Sequence, residues 1–340
     1  MISICIDVND GFQPKDKLTG DAISNSIQVP PNLMEITSYA LYLPFTMIGP
    51  VVPFNYFKRY VNGEFKAQNG EVRGESTTVA VRRFLLGILF TVLHEGGKLF
   101  ITADYLNTPQ FFENSLLLKI VYTTIWYRFT FYRYVGAFLF AEGAGILCGM
   151  GYKPNGKDSD EKWSGCRNVH VTGFLLGSDY QSVVESFNIA TNTWSKNYVF
   201  KRLRFLGNRT LSQAGTLMYL ALWHGYHLGY FLLFGFEFLC FLSQDRLYSI
   251  ISRIPNARNV LNGTKVKWMT WLFGKVMITT TMGFGFLTFG LIKTKYWWDP
   301  LMSQYAWGYV LFLIVWPAIY YLLDKVYPDV KKEKKEKKEN

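Results

Sequence analysis

Residues 217–242 form an apolar segment that contains ionisable side chains. The segment is long enough to cross a bilayer, because a membrane-spanning helix needs about 20 apolar residues. It nevertheless includes His224, His227 and Glu237. Ionisable groups at membrane depth cost free energy, so those that are kept there usually serve a function. A proton acceptor at this depth favours chemistry on a group carried by a lipid.

Five further apolar segments indicate that the chain crosses a membrane several times. They are residues 32–57, 84–101, 115–150, 268–292 and 305–323. Aromatic residues make up 18% of the chain, and aromatic side chains concentrate where membrane helices meet water. The sequence therefore predicts an all-α fold, a polytopic integral membrane helical bundle with about six to eight transmembrane helices.

The formal net charge is +11. In a membrane protein such a charge suits anionic lipid headgroups or a phosphate-bearing substrate at the membrane face. No soluble fold with a basic surface is indicated, so we expect no nucleic-acid partner. None of the four cysteines belongs to a CxxC motif, and neither a disulfide framework nor a zinc site is predicted.

A basic block, residues 195–212, lies upstream of the histidines and contains no acidic residue. Such a block is typical of an interfacial segment. Its positive charge has two alternative explanations: ordinary positive-inside topology, or the binding of substrate phosphates by Lys201 or Arg202. Asn188 precedes this block. In one straight helix Asn188 and His224 would stand more than about 50 Å apart, farther than a bilayer core is thick. If the two act together, the chain must fold back between them.

His224 and His227 would share one face of a continuous helix, since they are three residues apart. A histidine pair of this kind can indicate a metal, but the whole chain has four histidines, and di-iron membrane enzymes need many more. We therefore predict no metal site. A hydrogen bond between helices is the alternative role for His227, and also for His94.

Three motifs in the same order resemble a known family. FNIATNTW, FKRLRFLGNRTLSQ and ALWHGYHLGY together are similar to the membrane-bound O-acyltransferases, and within them to the branch that acylates lysophospholipids. The histidine of the family's W-H-G motif falls on His224. The asparagine of its F-N-x-x-T-N-x-W motif falls on Asn188.

The resemblance implies an enzyme that moves a fatty acyl group from acyl-CoA, as co-substrate, to the free hydroxyl of a lysophospholipid. Lysophosphatidylcholine is the foremost acceptor, followed by lysophosphatidylserine and lysophosphatidylethanolamine; no bound cofactor is expected. His224 would be the general base, and Asn188 would stabilise the oxyanion or position the hydroxyl. The further candidates for substrate binding are Trp194, Lys201, Arg202, Trp223 and His227.

We expect residues 1–324 to form the membrane domain, without the N-terminal part that other members of the family have, and residues 325–340 to form a basic cytosolic tail. Lys337 and Lys338 match the dilysine pattern that COPI-type retrieval machinery recognises, which predicts a multi-pass protein of the endoplasmic reticulum membrane. Two alternatives stay open: a family member with another acceptor, and a membrane scaffold that is inactive because the chain is short.

Overall fold

Helices make up nearly all of the regular structure. A computed structural model describes residues 1–329 and, within that range, all side chains except those of residues 258, 262 and 265. Between residues 1 and 329 the β pairing is limited to an isolated antiparallel bridge between Val169 and Phe187. The predicted all-α class is confirmed.

Eight helices precede residue 150. They are α1 (Ile2–Gly11), α2 (Gly20–Asn25), α3 (Leu33–Ala40), α4 (Leu43–Thr46), α5 (Phe54–Val61), α6 (Glu75–Lys98), α7 (Pro109–Glu113) and α8 (Leu116–Leu147). Single 3₁₀ turns occur at Lys15–Lys17 and Asp104–Asn107. Helix α3 begins with a capping box, in which the side chains of Asn32 and Glu35 each accept a hydrogen bond from the other's backbone N–H.

Eleven described helices follow residue 150. They are α9 (Ser159–Lys162), α10 (Val171–Leu176), α11 (Tyr180–Glu185), α12 (Ile189–Ser195), α13 (Arg209–His224), α14 (Leu228–Arg253), α15 (Ala257–Asn262), α16 (Thr264–Gly290), α17 (Thr294–Ser303), α18 (Trp307–Val310) and α19 (Trp316–Val326). A π-helical turn at Lys196–Phe200 and a 3₁₀ turn at Arg202–Leu206 follow α12, and a second π-helical turn, Leu311–Val315, joins α18 to α19.

Four helices within residues 1–329 are long and apolar enough to cross a membrane: α6, α14, Val266–Gly290 of α16, and Trp307–Val326. The predicted number, six to eight, is larger. One reason lies in residues 32–57, where Pro44, Pro50 and Pro53 interrupt the apolar segment and the chain forms the short helices α3, α4 and α5 instead. A polytopic helical membrane protein is nevertheless confirmed.

The chain divides into two compact units. The first consists of Met1–Lys98, Phe129–Leu175 and Val184–Thr216, and the second of Leu99–Arg128, Leu176–Val183 and the described residues from Leu217 to 329. The prediction of one membrane domain over residues 1–324 stays a prediction. The tail predicted at 325–340 lies mostly outside the described residues, and so do Lys337 and Lys338.

Buried charges in the first unit are held as a network. The guanidinium of Arg83, on α6, donates from Nε to Glu142 Oε1, on α8, at 2.7 Å, and the Glu142 side chain is fully buried. Arg83 also pairs with Asp160, which in turn pairs with Arg167. A buried carboxylate needs such a partner, because its desolvation is otherwise too costly.

In the second unit, α14 and α16 approach each other closely at Gly229. A Cβ on Gly229 would lie 2.1 Å from the backbone oxygen of Thr288. Because glycine has none, Thr288 Oγ1 can donate a hydrogen bond to the Gly229 carbonyl at 3.0 Å. The side chains of Phe236, Phe284 and Phe286 are buried nearby on these two helices. This contact fixes the start of α14 against α16.

Candidate active site

Helix α13 ends at His224, and a three-residue break separates it from α14. Gly225 has φ +124°, a backbone conformation that residues with a Cβ rarely adopt. His227 is the N-cap of α14. The prediction of a single helix across residues 217–242 is therefore wrong, and so is the expectation that His224 and His227 share a helix face. The break places His224 at a helix end rather than in mid-span.

Aromatic rings surround the imidazole of His224 in the second unit. Ring centroids lie 5.6 Å away for Tyr230 and 5.4 Å for Phe234, both on α14, and 5.1 Å for Phe289 on α16. Trp223 contributes a fourth ring at 5.0 Å, edge-on to the imidazole. These four residues form the aromatic cage of His224. The cage holds the imidazole ring by packing, and the residue as a whole stays exposed.

The nitrogens of the His224 ring have no hydrogen-bond partner between residues 1 and 329. Trp223 is 64% exposed. The His227 ring lies 5.9 Å from that of Tyr230 and makes no side-chain hydrogen bond at the start of α14. Within the described part of the chain no group of three His, Cys, Asp or Glu side chains could hold a metal ion. Because no described residue engages the nitrogens of His224, its imidazole is available for proton transfer.

Asn188 belongs to the first unit, where it is the N-cap of α12. Its backbone is left-handed, with φ 49° and ψ 47°, a conformation that asparagine tolerates better than most residues. The side chain is half-buried, and its carboxamide makes no hydrogen bond to any of the residues that the structure describes. That Asn188 and His224 share one reaction centre stays a prediction.

The two cations predicted to bind phosphates already have acidic partners. Lys201 pairs with Asp21, and Arg202 donates from Nη1 to Asp10 at 3.0 Å. The hydrogen bond from Lys201 lowers the pKa of the Asp21 carboxyl, and the hydrogen bond to Asp10 raises the pKa of the Arg202 guanidinium. These pairs tie the N-terminal segment to the basic block, and phosphate binding by either cation stays a prediction.

Trp194 lines a cavity of about 230 Å³ in the first unit. The Trp194 ring also lies 5.6 Å from that of Tyr198. Polar and charged side chains in the cavity wall include Lys153, Arg167 and Asn197. Among the predicted site residues, the first unit therefore contains Asn188, Trp194, Lys201 and Arg202, and the second contains Trp223, His224 and His227.

Sequence reasoning missed the acidic partners and the aromatic cage. The N-terminal residues 1–32 are mostly polar in sequence and include Asp7, Asp10 and Asp21. Polarity suggests exposure, yet Asp7 and Asp10 are buried. A partial signal exists for both features. The acids recur in a segment opposite in charge to the basic block, and Tyr230 and Phe234 are spaced four apart, on one helix face.

Comparisons with known proteins agree with this architecture. The sequence profile of the MBOAT, membrane-bound O-acyltransferase, family matches residues 1–284. Proteins named lysophospholipid acyltransferase 5 are similar to the chain. The Caenorhabditis elegans protein is 40% identical over 96% of this chain and 69% of its own length. The Drosophila melanogaster protein is 31% identical over 94% of this chain and 64% of its own length. The human protein is 30% identical over 98% of this chain and 69% of its own length. The chain thus spans about two thirds of these relatives' length.

Proposed function

Because the chain belongs to the membrane-bound O-acyltransferase family, we propose that it transfers a fatty acyl group from acyl-CoA to the free hydroxyl of a lysophospholipid. The family membership confirms the resemblance found in the three motifs, and with it the class of enzyme. The names of the relatives at 30–40% identity support lysophospholipids as acceptors. Lysophosphatidylcholine is the first acceptor to test, followed by lysophosphatidylserine and lysophosphatidylethanolamine.

His224 is the general base in this proposal. The observation that carries its role is the aromatic cage around an imidazole whose nitrogens no described residue engages. An alcohol is a weak nucleophile until a base removes its proton, and a neutral imidazole does so near physiological pH. A ring fixed by packing needs little reorientation to accept that proton.

Asn188 supplies a neutral N–H donor to the reaction. As the acceptor oxygen attacks the thioester carbonyl, an O–C bond forms and negative charge gathers on the carbonyl oxygen. A carboxamide donor stabilises that charge. Collapse breaks the C–S bond, and the proton held on His224 passes to the departing thiolate of coenzyme A. The sequence places no serine or cysteine directly beside His224, which favours direct transfer over an acyl-enzyme.

The location belongs to the proposal as well. The four apolar helices support a membrane protein, and the dilysine pattern at Lys337 and Lys338 supports the endoplasmic reticulum and retrieval by COPI-type machinery. In this location acyl-CoA approaches from the cytosol, and the lysophospholipid enters from the bilayer.

The central experiment replaces His224 with alanine in the full-length protein and measures acyl transfer in microsomes, with radiolabelled acyl-CoA and each of the three acceptors. Loss of a general base lowers kcat by about 10²–10⁴-fold. Tyr226→Ala is the matched control, because Tyr226 lies in the same break and is 89% exposed. Normal membrane levels of both variants, with only Tyr226→Ala active, support the proposal. Full activity of His224→Ala contradicts it.

A further inference from the structure

Four hydrogen bonds fix the backbone around Asn188. Two involve the carboxamide of Asn192, one helical turn later, which donates from Nδ2 to the carbonyls of Val184 at 2.7 Å and Phe187 at 2.9 Å. Both partners are acceptors, so the orientation of this carboxamide is determined. The peptide bond between Phe187 and Asn188 is therefore held in place, because its carbonyl accepts a hydrogen bond from the Asn192 side chain.

The other two bonds come from Asn168, which is 1% exposed. Its backbone carbonyl accepts from the N–H of Ile189 at 3.0 Å, and its Oδ1 accepts from the N–H of Ala190 at 3.0 Å. Both N–H groups belong to the first turn of α12, where backbone donors have no partner within the helix itself. Asn168 thus holds the peptide bond between Asn188 and Ile189, and Asn192 holds the peptide bond between Phe187 and Asn188.

The Phe187 side chain anchors the same segment. Its ring centroid lies 4.6 Å from that of Phe131, 5.2 Å from that of Phe174 and 5.4 Å from that of Phe138. The backbone on both sides of Asn188 is therefore restrained, while the carboxamide of Asn188 has no partner within residues 1–329. A left-handed non-glycine residue costs free energy, and such residues persist where the surrounding structure holds them.

We propose that Asn168 and Asn192, the asparagine clamp, are positioning residues that hold Asn188 in the conformation its carboxamide needs for acyl transfer. The inference rests on the function proposed for Asn188. The clamp removes the rotational freedom of the Asn188 backbone before substrate arrives, so the donor needs no reorganisation at the moment of reaction.

The clamp predicts a defined kinetic defect for Asn192→Asp, which keeps the size of the side chain and loses both donated hydrogen bonds. Misplacement of a catalytic group lowers kcat by about 10- to 100-fold, and we expect KM for acyl-CoA and lysophosphatidylcholine to stay within about 3-fold. The matched control is Asn107→Asp. Asn107 Nδ2 also donates to a backbone carbonyl, that of Tyr296 at 3.0 Å, but in the second unit.

A double-mutant cycle separates positioning from general damage. If Asn192 acts through Asn188, Asn192→Asp has little further effect on the residual activity of Asn188→Ala, because the group it positions is gone. Additive losses in the cycle, or full kcat in Asn192→Asp, would overturn the clamp. Full activity of Asn188→Ala would instead contradict the proposed role of Asn188 itself.

Folding is followed by the thermal stability of each detergent-solubilised variant. If Asn192→Asp does not fold, Asn192→Ala takes its place in the cycle, since it removes the donors without adding a charge. Failure of both variants to fold, while Asn107→Asp folds, would assign the clamp to folding alone and refute the positioning role.

Discussion

The left-handed backbone of Asn188 gives two separate reasons for an asparagine at that position. One is conformational, because asparagine tolerates φ 49°. The other is chemical, because the carboxamide is a neutral hydrogen-bond donor. Substitutions can distinguish them, since glycine satisfies the first reason and not the second.

We predict that Asn188→Gly folds normally and loses acyl transfer. Glycine adopts the left-handed region without strain, whereas alanine there costs about 1–2 kcal/mol. Asn188→Gly should therefore match the wild-type thermal midpoint more closely than Asn188→Ala does, and both should lose activity to a similar degree. Retained activity in Asn188→Gly would mean that the asparagine serves the backbone alone. The thermal midpoint checks that Asn188→Gly folds, and acyl transfer in microsomes checks that its activity is lost.

Asp7 is a buried acid in the first unit. It is 1% exposed and accepts a hydrogen bond from the Tyr198 hydroxyl at 2.9 Å. Burial raises the pKa of Asp7 to about 7, from 3.8. Between these two values the folded state holds a proton that the unfolded state has released. The contribution of Asp7 to stability therefore falls as pH rises from about 4 to about 7, and levels off above that range.

We predict that Asp7→Asn weakens this pH dependence. Asparagine stays neutral and can still accept the hydrogen bond from Tyr198. The thermal midpoint of the solubilised wild-type protein should fall more between pH 5 and pH 7.5 than that of Asp7→Asn does. Asp16→Asn is the control, because Asp16 is an exposed carboxylate of the same segment. Equal pH dependence in the wild type and Asp7→Asn would contradict the burial effect.

At the scale of helices, the break between α13 and α14 decides where His224 lies. Hydropathy runs on through residues 217–242, and so the sequence favoured one continuous span. The backbone of Gly225 ends α13, and the close approach at Gly229 seats the first turn of α14 on α16. Tyr230 and Phe289, which form part of the aromatic cage, come from these two helices.

We predict that Gly229→Ala lowers both stability and activity. Its Cβ would lie 2.1 Å from the Thr288 carbonyl oxygen, so α14 and α16 must separate, at a cost of about 1–3 kcal/mol. The cage would shift with them. Gly235→Ala is the matched control on the same helix, because its Cβ meets nothing within 4 Å. Similar thermal midpoints and activities for the two variants would show that the close approach is unimportant.

At the scale of the whole chain, the charged tail concerns location rather than chemistry. We predict that Lys337→Ala with Lys338→Ala moves part of the protein from the endoplasmic reticulum to later compartments, because retrieval requires both lysines near the end. Lys334→Ala with Lys335→Ala removes the same charge and should leave the location unchanged. Imaging of the two variants in cells tests this, and an equal distribution would exclude the dilysine signal.

The sequence by itself determined the all-α membrane class, the family, and the candidacy of His224 and Asn188. These follow from composition and from motifs that are each continuous in the sequence. Tertiary structure alone decided the rest: the cage around His224, the acidic partners of Lys201 and Arg202, and the bonds of Asn168 to the start of α12. Most of these contacts join residues that are distant along the chain, such as His224 and Phe289 or Asp10 and Arg202, and a local pattern does not specify which distant residue packs against it.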